Sequence, residues 1–145
     1  MAEIRKIKTA DLKRIIEITE KAFPDKWPQW YFESLLQEYP DDFYVSEING
    51  EIMGYVLGLI KENKYGWIKA IAVHPDSQGK GLGTELMDFV TNRLKESGAK
   101  TIGLHARTNN EKGVSFYKNR GFRAVKTVEK YYSDGDSALL MEKSL

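Results

Sequence analysis

The chain has 145 residues, of which 41% are apolar and 30% charged, and its net charge is +1. That length suits one domain able to bury roughly 70% of its unfolded surface, and a charge so near zero supplies no field for nucleic acid or an anionic membrane. Cysteine is absent, which excludes a disulfide scaffold, a zinc–thiolate site and a cysteine nucleophile. The two histidines, His74 and His105, form no His-x-x-His pair, so no metal is expected. The longest apolar run, Ile52 to Ile60, is interrupted by glycines and far too short to span a bilayer. The first eight residues carry no apolar leader region, so a cytoplasmic location is expected. No repeat, linker or biased segment interrupts 1–145, which reads as a single continuous domain.

In chain order, residues 2–7 read as a strand. Thr9 or Asp11 then caps a helix whose apolar face is Leu12, Ile15, Ile16, Thr19, Ala22 and Phe23, at i, i+3, i+4 spacing. Phe23-Pro-Asp-Lys-Trp27-Pro breaks it, and a shorter helix follows from Gln29 to Tyr39. Phe43–Ile48 and Glu51–Ile60 flank Asn49-Gly50, a dipeptide suited to a type I′ hairpin turn. Lys64 to Val73 makes a further strand. Gly81 to Ser97 makes a helix with Leu82, Leu86, Phe89, Val90 and Leu94 as its stripe, stopped by Gly98. Thr101 to Ala106 is a strand, and Thr108-Asn-Asn-Glu111 resembles a capping box that opens a helix running to Arg120. Phe122–Tyr132 and Ala138–Leu145 read as two strands joined by a turn at Ser133-Asp-Gly135-Asp. The order β-α-α-β-β-β-α-β-α-β-β predicts an α/β protein with a mixed central sheet flanked by helices. Lys64–Val73, the 81–97 helix and Thr101–Ala106 form a βαβ unit, so those strands should be parallel neighbours. Either a monomer or a homodimer is compatible, with the final strand a candidate for pairing across a dimer.

The most informative stretch is Ile71-Ala-Val-His-Pro-Asp-Ser-Gln78-Gly79-Lys80-Gly81-Leu82-Gly83-Thr84. An apolar strand ends at Val73, a proline turn follows, and alternating glycines open a helix. Helix N-termini leave N–H groups unpaired and carry the positive end of the dipole, and glycine lets an anion approach the backbone. The bland alternative is a glycine-rich turn, but nothing local demands three such residues. A P-loop would need Gly-x-x-x-x-Gly-Lys-Ser/Thr, which is absent. A dinucleotide fingerprint would need glycine at position 84 or 86, where the chain has Thr84 and Leu86.

What remains, Gln-x-x-Gly-x-Gly after an apolar strand, resembles the acetyl-CoA loop of the GNAT superfamily of N-acetyltransferases. The resemblance covers essentially the whole chain and is nearest to RimI-like protein N-terminal acetyltransferases. It is carried by Phe23-Pro-Asp-Lys-Trp27, Ile71 to Gly83, Asn110-x-x-Gly113-x-x-Phe116-Tyr117-x-x-x-Gly121-Phe122, and Tyr131-Tyr132-x-Asp-Gly135-Asp-x-Ala-Leu-Leu-Met141. It implies the GNAT fold and acetyl-CoA as cosubstrate. Gly79, Lys80, Gly81, Leu82, Gly83 and Thr84 would wrap the pyrophosphate, while Ile71, Ala72 and Val73 offer backbone groups to the pantetheine arm from a strand splayed from its neighbour. Asn110 would hydrogen-bond that arm, although read by itself it is a helix cap. Tyr117 would act as general acid for the departing thiolate, although on pattern alone an aromatic one turn after Gly113 and Val114 is a core residue. Phe23, Pro24, Asp25, Tyr131 and Tyr132 match the loops that grip the acceptor peptide. Asp25 reads equally as an exposed loop charge.

Two departures stand out. Gln78 occupies a place where many relatives carry Arg. His105, five residues before Asn110, stands where the RimI type carries a Glu thought to be the general base, and a related eukaryotic branch carries His there. It is either that base or a structural histidine. By strand alternation it points away from the face of Ile102, Leu104 and Ala106. The acceptor implied is a protein N-terminus. An α-amine is roughly one-seventh neutral at pH 7, a lysine about one part in 2500, a difference of about 3.5 kcal/mol. A small-molecule amine, a lysine side chain, or a CoA-binding module without turnover are the alternatives, since the cofactor half would look the same.

Overall fold

The computed structural model describes residues 2–24 and 26–145. Among the described residues, seven strands and four α-helices follow the predicted order: β1 (Glu3–Lys6), α1 (Leu12–Ala22), α2 (Gln29–Glu38), β2 (Phe43–Ile48), β3 (Glu51–Lys61), β4 (Tyr65–Val73), α3 (Leu82–Glu96), β5 (Thr101–Arg107), α4 (Glu111–Asn119), β6 (Arg123–Val128) and β7 (Ala138–Ser144). The strands are hydrogen-bonded in the order β1-β2-β3-β4-β5-β7-β6, a mixed sheet. The chain packs as two compact units, Met1–Leu59 with Ala70–Arg93, and Ile60–Lys69 with Leu94–Leu145.

In the first unit β1, β2 and β3 form an antiparallel meander, Glu3 opposite Glu47 and Phe43 opposite Leu57. The β2–β3 turn takes φ of 51° at Asn49 and 81° at Gly50, the left-handed pair that a type I′ turn requires. The core gathers Ile15, Ile18, Phe32, Leu35, Phe43, Val45, Tyr55 and Leu57. Two buried hydroxyls meet there: Thr19 Oγ1 donates to the Ile15 carbonyl at 2.8 Å and lies 2.7 Å from the Tyr55 hydroxyl. The α1 stripe differs from expectation. Ile18 is fully buried and Ile16 only half-buried, because the helix turns its Leu12–Ile15–Ile18–Thr19 row inward. Entry to α1 is held by Asp11, which accepts from the Lys8 N–H at 2.8 Å and from both terminal nitrogens of Arg5. Burial raises the Asp11 carboxyl, but the Arg5 and Lys8 hydrogen bonds outweigh it and hold it below its ordinary value.

In the second unit the first half of β4 runs parallel to β5, Tyr65 opposite Thr101 and Ile68 opposite Leu104, as the βαβ reading predicts. β7 lies antiparallel between β5 and β6. Both its edges are therefore occupied, which corrects the expectation that the final strand is free to pair across a dimer. The outer strand is β6, blunted by a bulge between Ala124 and Lys126 and by Arg123 and Lys126. β6 ends at Val128, so Tyr131 and Tyr132 lie in a loop and not on a strand as expected. The backbone turns there, with Lys130 at φ 50°. Thr108 does not cap α4 either: its N–H and hydroxyl both go to the Ser137 carbonyl, and Asn110 is the cap. No helix among the described residues is long and apolar enough to cross a membrane.

Candidate active site

In the first unit the chain leaves β4 at Val73 and is pinned at once. His74 is buried, its N–H donates to the Met53 carbonyl at 2.8 Å, and its Nδ1 accepts from the Asp76 N–H at 3.1 Å. It is a structural turn residue. Gln78 Nε2 donates to the Val73 carbonyl at 3.1 Å, tying the strand end to the turn and occupying that acceptor. Gly79 and Gly81 then adopt φ of 79° and 85°, and a Cβ at either would meet nothing within 4 Å. Packing does not require glycine there; backbone conformation does. Left-handed glycines ahead of a helix start leave the backbone open for an anion to approach its N–H groups. The first helical bond of α3 runs from the Glu85 N–H to the Gly81 carbonyl, so the amides ahead of it lack helical partners. Leu82 is buried and fixes the helix start, while Gly79, Lys80 and Gly81 are exposed and Gly83 and Thr84 half-buried. These residues fit a diphosphate. Ala72 of β4 is buried between half-buried Ile71 and Val73. Phe23 packs half-buried on the core, Pro24 is exposed, and Asp25 lies outside the described residues.

The second unit holds His105, Asn110, Tyr117, Tyr131 and Tyr132. His105 is half-buried on β5, on the opposite side from buried Leu104 and Ala106, as strand alternation predicts. Its ring meets Trp67 edge-on at 4.8 Å and Tyr131 at 4.5 Å. Burial, then the positive charges of Lys61 and Lys126, push its pKa below the usual histidine value. The imidazole is therefore neutral at pH 7. Its Nδ1 is enclosed without a hydrogen-bond partner, so among the described residues no carboxylate orients it as a triad would.

Tyr117 lies half-buried on α4, its ring 6.0 Å from Phe122. Burial, helped by the Tyr132 phenol, pushes its pKa up to about 12, so it carries its proton and can donate it. Asn110 Oδ1 accepts from the Gly113 N–H at 3.0 Å, the capping role open to it from the start; its Nδ2 can still donate outward.

Sequence reasoning missed the shelf on which His105 rests. Tyr65 stacks on Trp67 at 6.2 Å, and Lys61 Nζ sits 4.5 Å over the Trp67 ring. The Tyr65 hydroxyl donates to Glu142 Oε2 at 2.7 Å, and burial followed by that carboxylate raises its pKa. The available signal was the i, i+2 spacing of Tyr65 and Trp67, which puts both on one face of β4.

Residues 12–122 match the Acetyltransferase (GNAT) family. An N-alpha-acetyltransferase of Sulfurisphaera tokodaii is 32% identical over 98% of this chain and 92% of its own length. Among solved structures, Ard1 from Thermoplasma volcanium superposes with a TM-score of 0.94 at 26% identity, covering 99% of this chain and 97% of that one. The ribosomal-protein-S18-alanine N-acetyltransferase from Escherichia coli does so at 0.86 with 25% identity, covering 99% and 94%. With the glycine loop, the fold order and these likenesses in agreement, the chain belongs to the GNAT family of acetyltransferases.

Proposed function

We propose that this protein is an acetyl-CoA-dependent N-acetyltransferase of the cytoplasm, one domain over 1–145 using no metal, whose acceptor is the α-amino group of a protein N-terminus. The observation that carries the acceptor class is the setting of His105. A neutral imidazole with depressed basicity, no carboxylate partner and two lysines nearby is a weak base in a positive field. It can relieve an α-amine of its proton but gives little help to a lysine, and the positive charges of Lys61 and Lys126 disfavour a polyamine. The names of the archaeal N-alpha-acetyltransferase and of the ribosomal-protein-S18-alanine N-acetyltransferase support the same acceptor.

The 79–84 loop and the 71–73 strand would hold acetyl-CoA by backbone groups, and Asn110 would supply a donor. The bound thioester supplies an activated acetyl carbon for direct attack by the amine nitrogen, without an acetyl-enzyme stage. His105 takes the proton leaving the amine, directly or through water. Tyr117 gives its phenolic proton to the departing sulfur. Phe23, Pro24, Asp25, Tyr131 and Tyr132 position the peptide backbone.

Incubating the protein with acetyl-CoA and short peptides, blocked-terminus lysine peptides or polyamines, and measuring free thiol, tests this. Turnover is expected with free peptide N-termini. Thiol release only with the lysine peptides or polyamines makes it another kind of amine acetyltransferase, and none with any acceptor makes it a binding module.

The His105→Ala variant should lose rate by about tenfold below pH 7.5, where the α-amine is mostly protonated. The deficit should shrink as pH rises and the amine frees itself. The wild-type limb should fall only below the ordinary histidine range, because the folded pKa is lowered. Superimposable pH–rate profiles for wild type and variant would return His105 to a structural role.

A further inference from the structure

We infer that Arg107 is a positioning residue for the acceptor peptide: its guanidinium clasps the loop between β6 and β7 and thereby seats Tyr131 on His105. The inference rests on the acceptor reading above. Residues 129–137 join the two strands with mostly polar, exposed side chains, and Tyr131 itself is 49% exposed. Such a loop has little apolar contact to hold a single shape.

Arg107 is the last residue of β5, two beyond His105 and opposite Ala138 of β7. It is only 8% exposed. Its Nη1 donates to Asp136 Oδ2 at 2.6 Å and to Asp134 Oδ2 and Oδ1 at 3.0 and 3.2 Å. The guanidinium carbon lies 4.1 Å over the Tyr132 ring. Three side chains of the loop thus converge on one cation. The backbone between them closes accordingly: the Tyr132 N–H donates to the Asp136 carbonyl at 3.0 Å, and the Gly135 N–H to the Tyr132 carbonyl at 2.9 Å. Asp136 also takes Asn109 Nδ2 at 3.2 Å, and its own N–H donates to Asp134 Oδ1 at 3.0 Å. Tyr131 enters this turn with its ring 5.0 Å from Tyr132 and 4.5 Å from His105.

Packing alone does not call for a cation here, since an apolar side chain of similar volume costs less to bury. What the guanidinium adds is direction. Its Nη1 reaches two carboxylates while the guanidinium plane stacks on the Tyr132 ring, and a lysine ammonium, having no such plane, does not reproduce both. Without it, two carboxylates two residues apart repel each other and open the turn that carries Tyr131.

Two variants of the full chain test the idea: Asp134→Asn with Asp136→Asn, which keeps Arg107, and Arg107→Met, which keeps its volume. Amide hydrogen exchange without substrate should rise about tenfold at Tyr132 and Gly135 in both, the loss expected when about 1.4 kcal/mol of local hold is removed. The KM for an acceptor peptide should rise about tenfold with kcat within about twofold, and the acetyl-CoA affinity measured by calorimetry should not change. Arg107→Lys should recover only part of the KM. Unchanged exchange overturns the clasp, and faster exchange with an unmoved peptide KM overturns the positioning role. Matching losses in acetyl-CoA affinity mean general loosening and overturn it too. If the wild-type protein acetylates no peptide, the acceptor reading falls and the positioning role with it, while the exchange measurement still decides whether Arg107 holds the loop.

Discussion

Replacing Tyr117 by Phe should lower kcat by about 10²–10⁴-fold, the range for losing a positioned general acid, while acetyl-CoA affinity stays near normal. The substitution removes one oxygen and keeps the ring that packs against Phe116 and Phe122. Fold and cofactor loop should therefore be untouched, and the loss should fall on the chemical step. Burial keeps the phenol protonated at every working pH, its pKa being pushed up to about 12. The wild-type rate should accordingly show no alkaline limb from Tyr117 until well above pH 9. Single-turnover kinetics with calorimetric acetyl-CoA titration separate the two effects. A variant turning over within a few-fold of wild type would leave Tyr117 as a core aromatic.

Replacing Gly103 by Ala should destabilise the protein by about 1–3 kcal/mol, the usual cost of overpacking. A Cβ there would sit 1.9 Å from the Tyr65 hydroxyl oxygen and 2.7 Å from its Cζ, because the Tyr65 ring crosses β5 at this residue to reach Glu142 on β7. The ring is rigid and must swing away, giving up a charge-assisted hydrogen bond worth about 1.5–3 kcal/mol. Trp67, stacked on Tyr65 and set against His105, loses its support, so activity should fall together with stability. Urea denaturation of the two single variants and the double variant with Tyr65→Ala isolates the contact. An equal cost for Gly103→Ala with and without Tyr65 would show that the clash is not its cause.

The parts legible from the chain are those that local rules govern. Asn49-Gly50 demanded a left-handed pair and the turn has it. The helix stripes gave the order of elements and the parallel β4–β5 pair. Gly79, Gly81 and Gly83 stood out because glycine lets an anion approach the backbone; Gly79 and Gly81 lie at positive φ, whereas Gly83 is part of α3. The misreadings have a common source. Ile16 was preferred to Ile18 because one lies four residues after Leu12 and the other three after Ile15, and periodicity does not say which of them faces the core. Thr108 looked like a cap until the Ser137 carbonyl, far along the chain, claimed its N–H. Tyr131 and Tyr132 read as the end of a strand from Phe122, whereas β6 stops at Val128 and the Arg107 clasp holds them in a turn.

The resemblance carried by four short stretches was enough for the family, and it implied a cofactor loop and candidate proton-bearing groups, because glycine patterns, strand alternation and side-chain chemistry are properties of short stretches. How those groups behave was settled by contacts between residues far apart. The pKa of His105 depends on burial and on Lys61 and Lys126. Its shelf depends on a bond spanning 77 residues, from Tyr65 to Glu142, and its neighbour Tyr131 on a cation 27 and 29 residues from its two carboxylates. Desolvation and long-range pairing exist only once the chain has folded, and no local pattern encodes them.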